Sequence, residues 1–522
     1  MSLAFGTRYP CDQSVATGPR AVQCAERQRR WVLVAAVLGS SLAFVEGSIV
    51  NLALPALQAD QGWGSIETQW IVNGYLLALG SLMLIGGALG DRVGQKAAFI
   101  VGLLLFGIAS LACALANSFG LLLGARIVQG VGAALLVPTS LALINVHFDQ
   151  ERRPRAIGIW AGASALTTAL GPVLGGVLVD ELGWRSVFFA IVPFAAAAIA
   201  VAALRLPASV ESRSDKLDWP GALLLLATLL LISLALIDPR LNSANLALVA
   251  GGAVLFVGFL RWESISSSPM IPLDLFRNRI FSGANALTVA LYFALGGALY
   301  FIPFNLIQIQ GYSAVAAGSA FLPMTLLLGF GSAFASDQLR RVSPRSVLTV
   351  GALLAAGGFA LFAKPGVESS YLQDWLPGIL LLAVGMTLCV APLTTVVMAS
   401  IDAQRSGVAS GINNTAARLA GVVAIALLTG IAVAVFDGTL QSQLASLELT
   451  AATQTELLAK THLLAELAAP VQVENPSVIN EVIRASYVAA FRVLMIICAL
   501  SALLAATLAW LTLGPVQPAP NL

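Results

Sequence analysis

The chain has 522 residues, of which 58% are hydrophobic and only 10% are charged. Because charged residues make up about a quarter of an ordinary soluble domain, this composition excludes a soluble globular protein and predicts a polytopic membrane protein. The formal net charge of +2 says little by itself, since in a membrane protein the position of each lysine and arginine matters more than their sum.

Residues 1–31 are polar and become basic near their end, where Arg27, Arg29 and Arg30 precede Trp31. They lack the apolar region and cleavage site of a signal peptide, so we interpret them as a cytoplasmic tail. Fourteen apolar segments long enough to cross a bilayer follow, approximately at residues 32–54, 68–89, 97–116, 119–144, 156–178, 186–204, 218–237, 244–260, 280–302, 314–335, 346–363, 373–397, 408–435 and 487–512.

Positive charges indicate the orientation of these segments. Residues such as Arg92, Arg152 and Arg340 lie on the side of the N-terminus, whereas far fewer basic residues, including Arg185 and Lys460, lie on the opposite side. Since cytoplasmic loops carry the excess of lysine and arginine, and since the number of segments is even, both termini are predicted to be cytoplasmic.

The first segment carries Glu46 and, five residues later, Asn51. An ionisable side chain in hydrocarbon is costly, so it must face a cavity or a partner. An apolar cavity disfavours the charged carboxylate, and we therefore hypothesise that Glu46 gains and loses a proton during function. The alternative is a structural acid that is hydrogen-bonded to Asn51 or to another helix.

The turn between segments 2 and 3 has the pattern Gly-x-x-x-Asp-Arg-x-Gly-x-Lys. Its glycines let two helix ends approach closely, its carboxylate can cap a helix N-terminus, and its arginine can reach other acids. A solvated charged loop is the plainer interpretation, but the pattern is much narrower than a charged turn alone. We assign a conformational role to Gly87, Gly90, Asp91, Arg92, Gly94 and Lys96.

The fourth segment places Arg126, Gln129 and Gly130 on one helical face, at spacings of three and four residues. A buried arginine needs an acceptor. Arg126 either holds polar backbone of the first helix or tunes a proton site electrostatically.

Small residues and a proline mark the fifth segment. Small residues permit close helix contact, and the proline frees a backbone carbonyl and bends the helix. We predict a close helix contact that acts as a pivot for a rocking motion. Its residues are Gly158, Gly171, Pro172, Gly175 and Gly176.

Residues 437–485 form the longest predicted loop, in which leucines recur between polar residues. This spacing predicts an amphipathic helical hairpin resting on the membrane or on the outer mouth, and a flexible loop with helical propensity is the alternative.

Several functional classes are disfavoured. The only histidines, His147 and His462, are predicted in loops on opposite sides of the membrane, and no nucleotide-binding loop or metal constellation is present. We expect no enzyme activity, no metal and no cofactor. A non-transporting sensor or scaffold would not need an intramembrane acid together with the small-residue pattern of the fifth segment.

The turn between segments 2 and 3, the Arg126 stretch and the fifth-segment pattern resemble motifs of the drug:proton antiporters of the major facilitator superfamily. The run from Glu46 to Pro55 is similar to the first-helix motif of the fourteen-helix branch, with glutamate where aspartate is usual. Trp184, Arg185 and the stretch from Gly407 to Arg418 also fit that branch.

This resemblance implies an all-α major facilitator fold with fourteen transmembrane helices. Two six-helix bundles are expected at residues 32–205 and 280–512, with an inserted helix pair at 206–279 and a cytoplasmic tail at 513–522.

The resemblance also implies alternating access around a central cavity, with Glu46 and Arg126 coupling the proton to export of an apolar or cationic compound. The proton is then the coupling ion. Aromatic rings suit cationic, lipophilic substrates, and the candidate cavity residues are Asn51, Asn73, Tyr75, Tyr292, Tyr300, Phe304 and Asn305.

The expected partners are the bilayer and a small-molecule substrate, with no nucleic acid. We expect a monomer in a cell membrane, with the bacterial inner membrane as the favoured location. Export of lipophilic or cationic drugs is the first interpretation, and export of one metabolite, lipid or siderophore by the same mechanism is the alternative.

Overall fold

The computed structural model describes residues 19–148, 152–207, 218–237, 243–338, 342–401, 406–445, 447, 449–469 and 476–513. Every regular element in these ranges is a helix. The α-helices are α1 (Pro19–Gln61), α2 (Ser65–Val93), α3 (Gln95–Ala114), α4 (Phe119–His147), α5 (Arg153–Leu182), α6 (Arg185–Arg205), α7 (Trp219–Ile237), α8 (Ser243–Ile265), α9 (Arg279–Phe304), α10 (Ala314–Ala320), α11 (Leu322–Gln338), α12 (Pro344–Leu361), α13 (Leu376–Ala399), α14 (Ser406–Leu444), α15 (Ala451–Ala459) and α16 (Pro476–Thr512).

Twelve helices in the described ranges are long and apolar enough to cross a membrane, namely α1–α4, α6–α9, α12–α14 and α16. Helix α5 is 30 residues long but is not among them. Helix α10 and the start of α11 form a shorter apolar run at Ala314–Gly329. The predicted all-helical membrane class is confirmed, and the count of fourteen spans stays a prediction.

The predicted segment 314–335 is two helices rather than one, because the chain turns at Phe321 between α10 and α11. Pro323 follows this turn. Proline has no N–H to donate to the carbonyl four residues earlier, and its ring clashes with that carbonyl. The hydrophobic pattern alone did not predict this interruption.

Helix α1 begins at Pro19, inside the stretch that we interpreted as a tail of residues 1–31. Proline is favoured in the first turn of a helix, and the arginines, glutamines and alanines that follow have high helix propensity. The first helix therefore extends well beyond its apolar part.

The helices pack as two groups. In one group α2 and α3 pack on α4, α3 packs on α6, and α1 packs on α5. In the other, α12 packs on α13 and α16, while α9 packs on α14 and α16. The α7–α8 hairpin contacts α2 and α14, one helix from each group. The domain boundaries given above remain predictions.

We call the end of the bundle where α1 ends and α2 begins the loop face, and the opposite end the terminus face. At the loop face α5 touches α10 closely. Asp180 accepts hydrogen bonds from the backbone N–H groups of Ala314 and Val315, both at 2.9 Å. A Cβ atom on Gly176 would lie 2.4 Å from the carbonyl oxygen of Ala314. Only glycine fits at this contact. Helix α11, which follows α10, packs on α13 of the second group, so the two groups of helices meet here backbone to backbone.

The stretch between α14 and α16 also lies at the loop face. Helix α14 continues to Leu444 and α16 begins at Pro476, so the loop is shorter than the predicted 437–485. In place of a helical hairpin it contains the short helix α15 and a 3-10 helix at Thr461–Glu466. We call these two elements the cover, because they lie over the mouth between the two groups of helices.

The cover is held by hydrogen bonds to both groups. Ser65 donates to the carbonyl oxygen of His462 at 2.8 Å, and Gln308 donates to the Glu466 carboxylate at 2.9 Å. Leu464 is buried with a φ of 53°, a left-handed conformation that is unusual for leucine. Its apolar contacts hold the backbone in this conformation.

Asp180 is expected to hold the loop face closed. Asp180→Ala removes two hydrogen bonds at the start of α10 and should weaken the closed contact by about 1 kcal/mol. A cysteine introduced at the buried Ala317 should then react with a maleimide roughly fivefold faster. The neighbouring exposed Glu181→Ala is the matched control and should leave the rate unchanged. Equal rates in both variants would contradict this role.

Docking of the cover is expected to depend on pH. Burial raises the pKa of the Glu466 carboxyl above its usual range, although the hydrogen bond from Gln308 opposes this. The docked state therefore favours the protonated acid, and docking should weaken as pH rises through the raised pKa. Hydrogen exchange of the amides at 461–467, corrected for intrinsic rates, should slow as the pH falls from about 7 to about 5. Glu466→Gln should abolish this trend, and a trend that persists in the variant would refute the assignment.

Candidate functional site

The site is built around a buried ion pair between α1 and α4. Nη1 of Arg126 donates to Oε1 of Glu46, and the two side chains are only 1% and 0% exposed. Neither group could stay charged alone in such a place, because an unpaired charge in an apolar interior is strongly destabilised. Each residue therefore stabilises the charge of the other.

Arg126 has further partners that fix its position. Its Nε donates to the backbone carbonyl of Ile71 on α2 at 3.0 Å, and Nη1 also donates to the side-chain oxygen of Gln129 at 2.6 Å. Gln129 in turn donates to the hydroxyl of Ser110 on α3 at 2.9 Å. One guanidinium therefore joins three helices, and a fourth is held through the glutamine.

The structure shows what Arg126 contacts, and its role in tuning a proton site stays a prediction. Arg126 does hold polar backbone, but this backbone belongs to α2 and not to the first helix. It also lies directly on the acid in the first helix. Gln129 shares its face as predicted. Gly130 lets α2 and α4 come close, since a Cβ there would lie 2.4 Å from the Tyr75 carbonyl oxygen.

Aromatic rings enclose the pair. The guanidinium carbon of Arg126 lies 4.5 Å from the centre of the Tyr75 ring and 5.9 Å from that of Phe188. The Tyr75 hydroxyl donates to the carbonyl of Ala43 at 3.1 Å. Tyr75, which we expected to line the substrate cavity, is fully buried and instead forms a wall of the ion-pair site.

The pair lies beside open space. Oε2 of Glu46 has no hydrogen-bond partner among the described residues. Gly47, the next residue, is exposed, and a Cβ added to it would meet no atom within 4 Å. Asn51 lies four residues further along the helix and donates to the Leu299 carbonyl of α9 at 3.5 Å. This face of α1 therefore borders a space between the two groups of helices, and Asn51 bonds across it rather than to Glu46.

The other cavity candidates lie at two levels. Asn73 is buried next to the ion-pair layer, and neither of its amide atoms has a partner among the described residues. Tyr292 is half-buried on α9.

Tyr300 and Phe304 line a narrow cleft under the cover at the loop face. The Tyr300 hydroxyl lies 3.2 Å from that of Thr68. The side-chain oxygen of Asn305 accepts a hydrogen bond from Gln310 at 3.3 Å. Tyr300 and Phe304 thus lie at the loop face, whereas Tyr75 lies against the ion pair, and a substrate role for the seven residues stays a prediction.

The turn between α2 and α3 is built on glycines. Gly94 ends one helix and begins the next with a φ of 92°, which favours glycine. A Cβ on Gly90 would lie 2.8 Å from Thr139, and one on Gly87 would contact Pro138 at 3.4 Å.

The charged residues of this turn differ in their surroundings. Lys96 donates to the carbonyl of Leu206 at 2.7 Å and so ties α3 to the end of α6. The Arg92 side chain is exposed. The Asp91 side chain lies outside the described part of the structure.

The predicted contact of the fifth segment involves two neighbours of α5. A Cβ on Gly175 would meet Ile49 of α1 at 2.4 Å, whereas Gly176 faces α10 as described above. Gly171 and Pro172 are buried. A Cβ added to Gly318 of α10 would lie 2.2 Å from the carbonyl oxygen of Pro172. Gly158 lies on α5, in a part whose side chains are not described.

A second polar site was not predicted from the sequence. Asp60, near the end of α1, accepts hydrogen bonds from the indole of Trp184 at 2.9 Å and from Arg185 at 3.2 Å. The hydrogen bond from Trp184 holds the pKa of the Asp60 carboxyl below its usual range. In the sequence, only the adjacent residues Trp184 and Arg185 indicated this site, and they did not indicate that Asp60 is their partner. His147, predicted in a loop, is the last residue of α4.

Two groups of apolar helices with a buried acid–arginine pair are the arrangement of a membrane transporter. Residues 36–425 match the family model of the Major Facilitator Superfamily, so the chain belongs to this superfamily. It is therefore a multi-pass membrane protein.

Relatives are found across most of the chain. It is 33% identical over 412 residues to the tetracenomycin C resistance and export protein of Streptomyces glaucescens, covering 77% of this chain and 76% of that protein. It is 32% identical over 426 residues to the multidrug resistance protein Stp of Mycobacterium tuberculosis, covering 80% of this chain and 78% of that protein. A bacterial homologue of the lysosomal transporter Spinster, in an inward-facing conformation, has a similar structure, with a TM-score of 0.65 at 18% identity over 95% of this chain and 98% of that one.

The ion pair makes a prediction about stability. Glu46→Gln leaves Arg126 charged without its counter-ion and should lower the free energy of unfolding by about 3–5 kcal/mol. Arg126→Gln should have a similar effect, because it leaves the Glu46 carboxylate buried without its counter-ion. The double variant buries no unpaired charge, so it should lose clearly less than the sum of the two singles. Thermal unfolding in detergent measures all three, with the exposed Glu481→Gln as control. Additive losses would show that the two residues act independently.

Proposed function

We propose that the protein is a proton-coupled antiporter that exports lipophilic, drug-like compounds by alternating access. The observation that supports this most is the buried Glu46–Arg126 pair next to the open space at Gly47. The names of the relatives, a resistance and export protein and a multidrug resistance protein, support the same proposal.

In this proposal Glu46 carries the proton. When Glu46 is ionised, its bond to Arg126 holds α1 against α4 and α2. Protonation removes the negative charge and leaves the Arg126 guanidinium with only the Ile71 carbonyl, Gln129 and the aromatic rings. The packing that suits the ion pair is then destabilised, so the protonated protein favours a different arrangement of helices.

The loop-face contacts are the ones that must separate when substrate leaves. The Asp180 cap on α10 and the cover over the mouth close that face. We place this face outside the cell and both termini in the cytoplasm, because the basic residues favour the terminus side. The bacterial sources of the two relatives support the inner membrane of a bacterium.

The energy available is sufficient for export. One proton entering the cell supplies about 2.3 kcal/mol per 100 mV of membrane potential and roughly 1.4 kcal/mol per pH unit. A gradient of ordinary size can therefore concentrate a substrate by an order of magnitude or more.

Reconstituted vesicles with an imposed pH gradient test the proposal. A pH-sensitive dye in the lumen should report proton movement when a drug-like substrate is added to the wild type. Glu46→Gln should abolish this movement, because glutamine cannot release a proton, while Glu481→Gln should retain it. Substrate-driven proton movement that survives in Glu46→Gln would remove Glu46 from the mechanism. No movement with any compound tested in the wild type would contradict proton-coupled export itself.

A further inference from the structure

The centre of the bundle carries one positive charge that is not compensated. Away from their ends, the fourteen apolar segments contain one acidic residue, Glu46, and three arginines, Arg126, Arg418 and Arg492. Arg492 is exposed on α16 and lies near the start of its segment. Glu46 is bonded to Arg126. Arg418 forms no hydrogen bond or ion pair with any described residue.

Arg418 lies near the middle of the membrane. Helix α14 begins at Ser406, so Arg418 is about 18 Å along it, at roughly half the thickness of the hydrocarbon core. It is only half-buried. A solvated or ligand-bound guanidinium is tolerated at this depth, whereas one in contact with lipid or packed in apolar side chains is not.

The surroundings of Arg418 come from both groups of helices. Its guanidinium carbon lies 5.7 Å from the centre of the Phe44 ring on α1. On α2, a Cβ added to Gly80 would lie 3.5 Å from the Cβ atom of Arg418. Arg418 therefore reaches across the gap between the two groups, to the level of the ion pair.

Open space adjoins this residue on both sides of the gap. Gly421 lies three residues after Arg418 and is buried, yet a Cβ added to it would meet no atom within 4 Å. Gly47 lies three residues after Phe44, and a Cβ added to this exposed glycine would also meet no atom within 4 Å. A spacing of three places each glycine on the same helical face as its neighbour. Arg418 and Phe44 thus border an internal space.

We propose that this space binds lipophilic substrates that carry an acidic group, such as a carboxylate or a phenolate, and that Arg418 is the residue that binds the anion. The guanidinium pairs with planar anions through two parallel hydrogen bonds, and Phe44 and Tyr292 supply aromatic surface for the apolar part. This inference rests on the proposed export function. It differs from the expectation of cationic substrates, because a centre with excess positive charge repels a cation.

The charge of the substrate has a consequence for energetics. Exchange of one entering proton for one leaving monovalent anion moves two charges across the membrane, whereas exchange for a monovalent cation moves none. Export of an acidic substrate is therefore accelerated by the membrane potential, and exchange for a cation responds only to the pH gradient.

Two dyes that share a xanthene ring system but differ in charge test the proposal. Fluorescein is anionic and rhodamine 123 is cationic. Vesicles with an acidic lumen receive either dye from outside, and uptake is measured after filtration and lysis at a fixed pH. Protein-free vesicles and Glu46→Gln vesicles give the passive background.

Wild type should take up fluorescein and move protons with it. Arg418→Gln should reduce this uptake at least tenfold, while Arg418→Lys, which keeps the charge, should retain a substantial part. Arg492→Gln is the matched control, because Arg492 is an exposed arginine on α16, and it should leave uptake unchanged. A lumen-positive potential set with potassium and valinomycin should speed fluorescein uptake by the wild type. This measurement needs no variant of Arg418, so it holds even if Arg418→Gln fails to fold.

Two results would overturn the inference and are distinct from each other. Proton-coupled uptake of rhodamine 123 but not of fluorescein, with no effect of Arg418→Gln, would retain the proposed export function and refute the assignment of Arg418. Absence of coupled uptake of either dye by the wild type would refute the inference together with the function on which it rests.

Discussion

The Glu46–Arg126 ion pair is the constraint on which the rest of the bundle depends. Two opposite charges are buried where neither could remain alone, so the helices that carry them must stay in register. The arginine extends this constraint to α2 through the Ile71 carbonyl and to α3 through Gln129 and Ser110. A single change of charge at Glu46 therefore affects four helices together.

The contacts between the two groups of helices are of a different kind from the ion pair. At the loop face they are close backbone contacts made possible by Gly176 and Gly318, with hydrogen bonds from the start of α10 to Asp180. Such contacts bury no charge pair, and each hydrogen bond contributes modestly to stability. The interior of one group is thus held strongly, whereas the interface between groups is held by interactions that can be exchanged for water.

The sequence predicted the features that depend on local spacing. The shared face of Arg126 and Gln129 follows from helical periodicity, and the close contacts at Gly175 and Gly176 follow from residue size. The partners were not predictable. Asp60 with Trp184 and the Asp180 cap on α10 join residues more than a hundred positions apart. The turn at Phe321 was not predicted because a hydrophobic pattern continues through it. The loop after α14 is shorter than predicted because α14 continues to Leu444 and α16 begins at Pro476.

The position of the α7–α8 hairpin has a consequence for how compounds approach the interior. Leu225 and Leu229 of α7 pack with Leu77 of α2 and Val422 of α14, so the hairpin covers the groove where these two helices meet. A molecule dissolved in the lipid and diffusing toward that groove meets two additional helices before it reaches Arg418. The α7–α8 hairpin thus shields one lateral side of the bundle from the bilayer, so a compound that comes from the lipid must enter on another side.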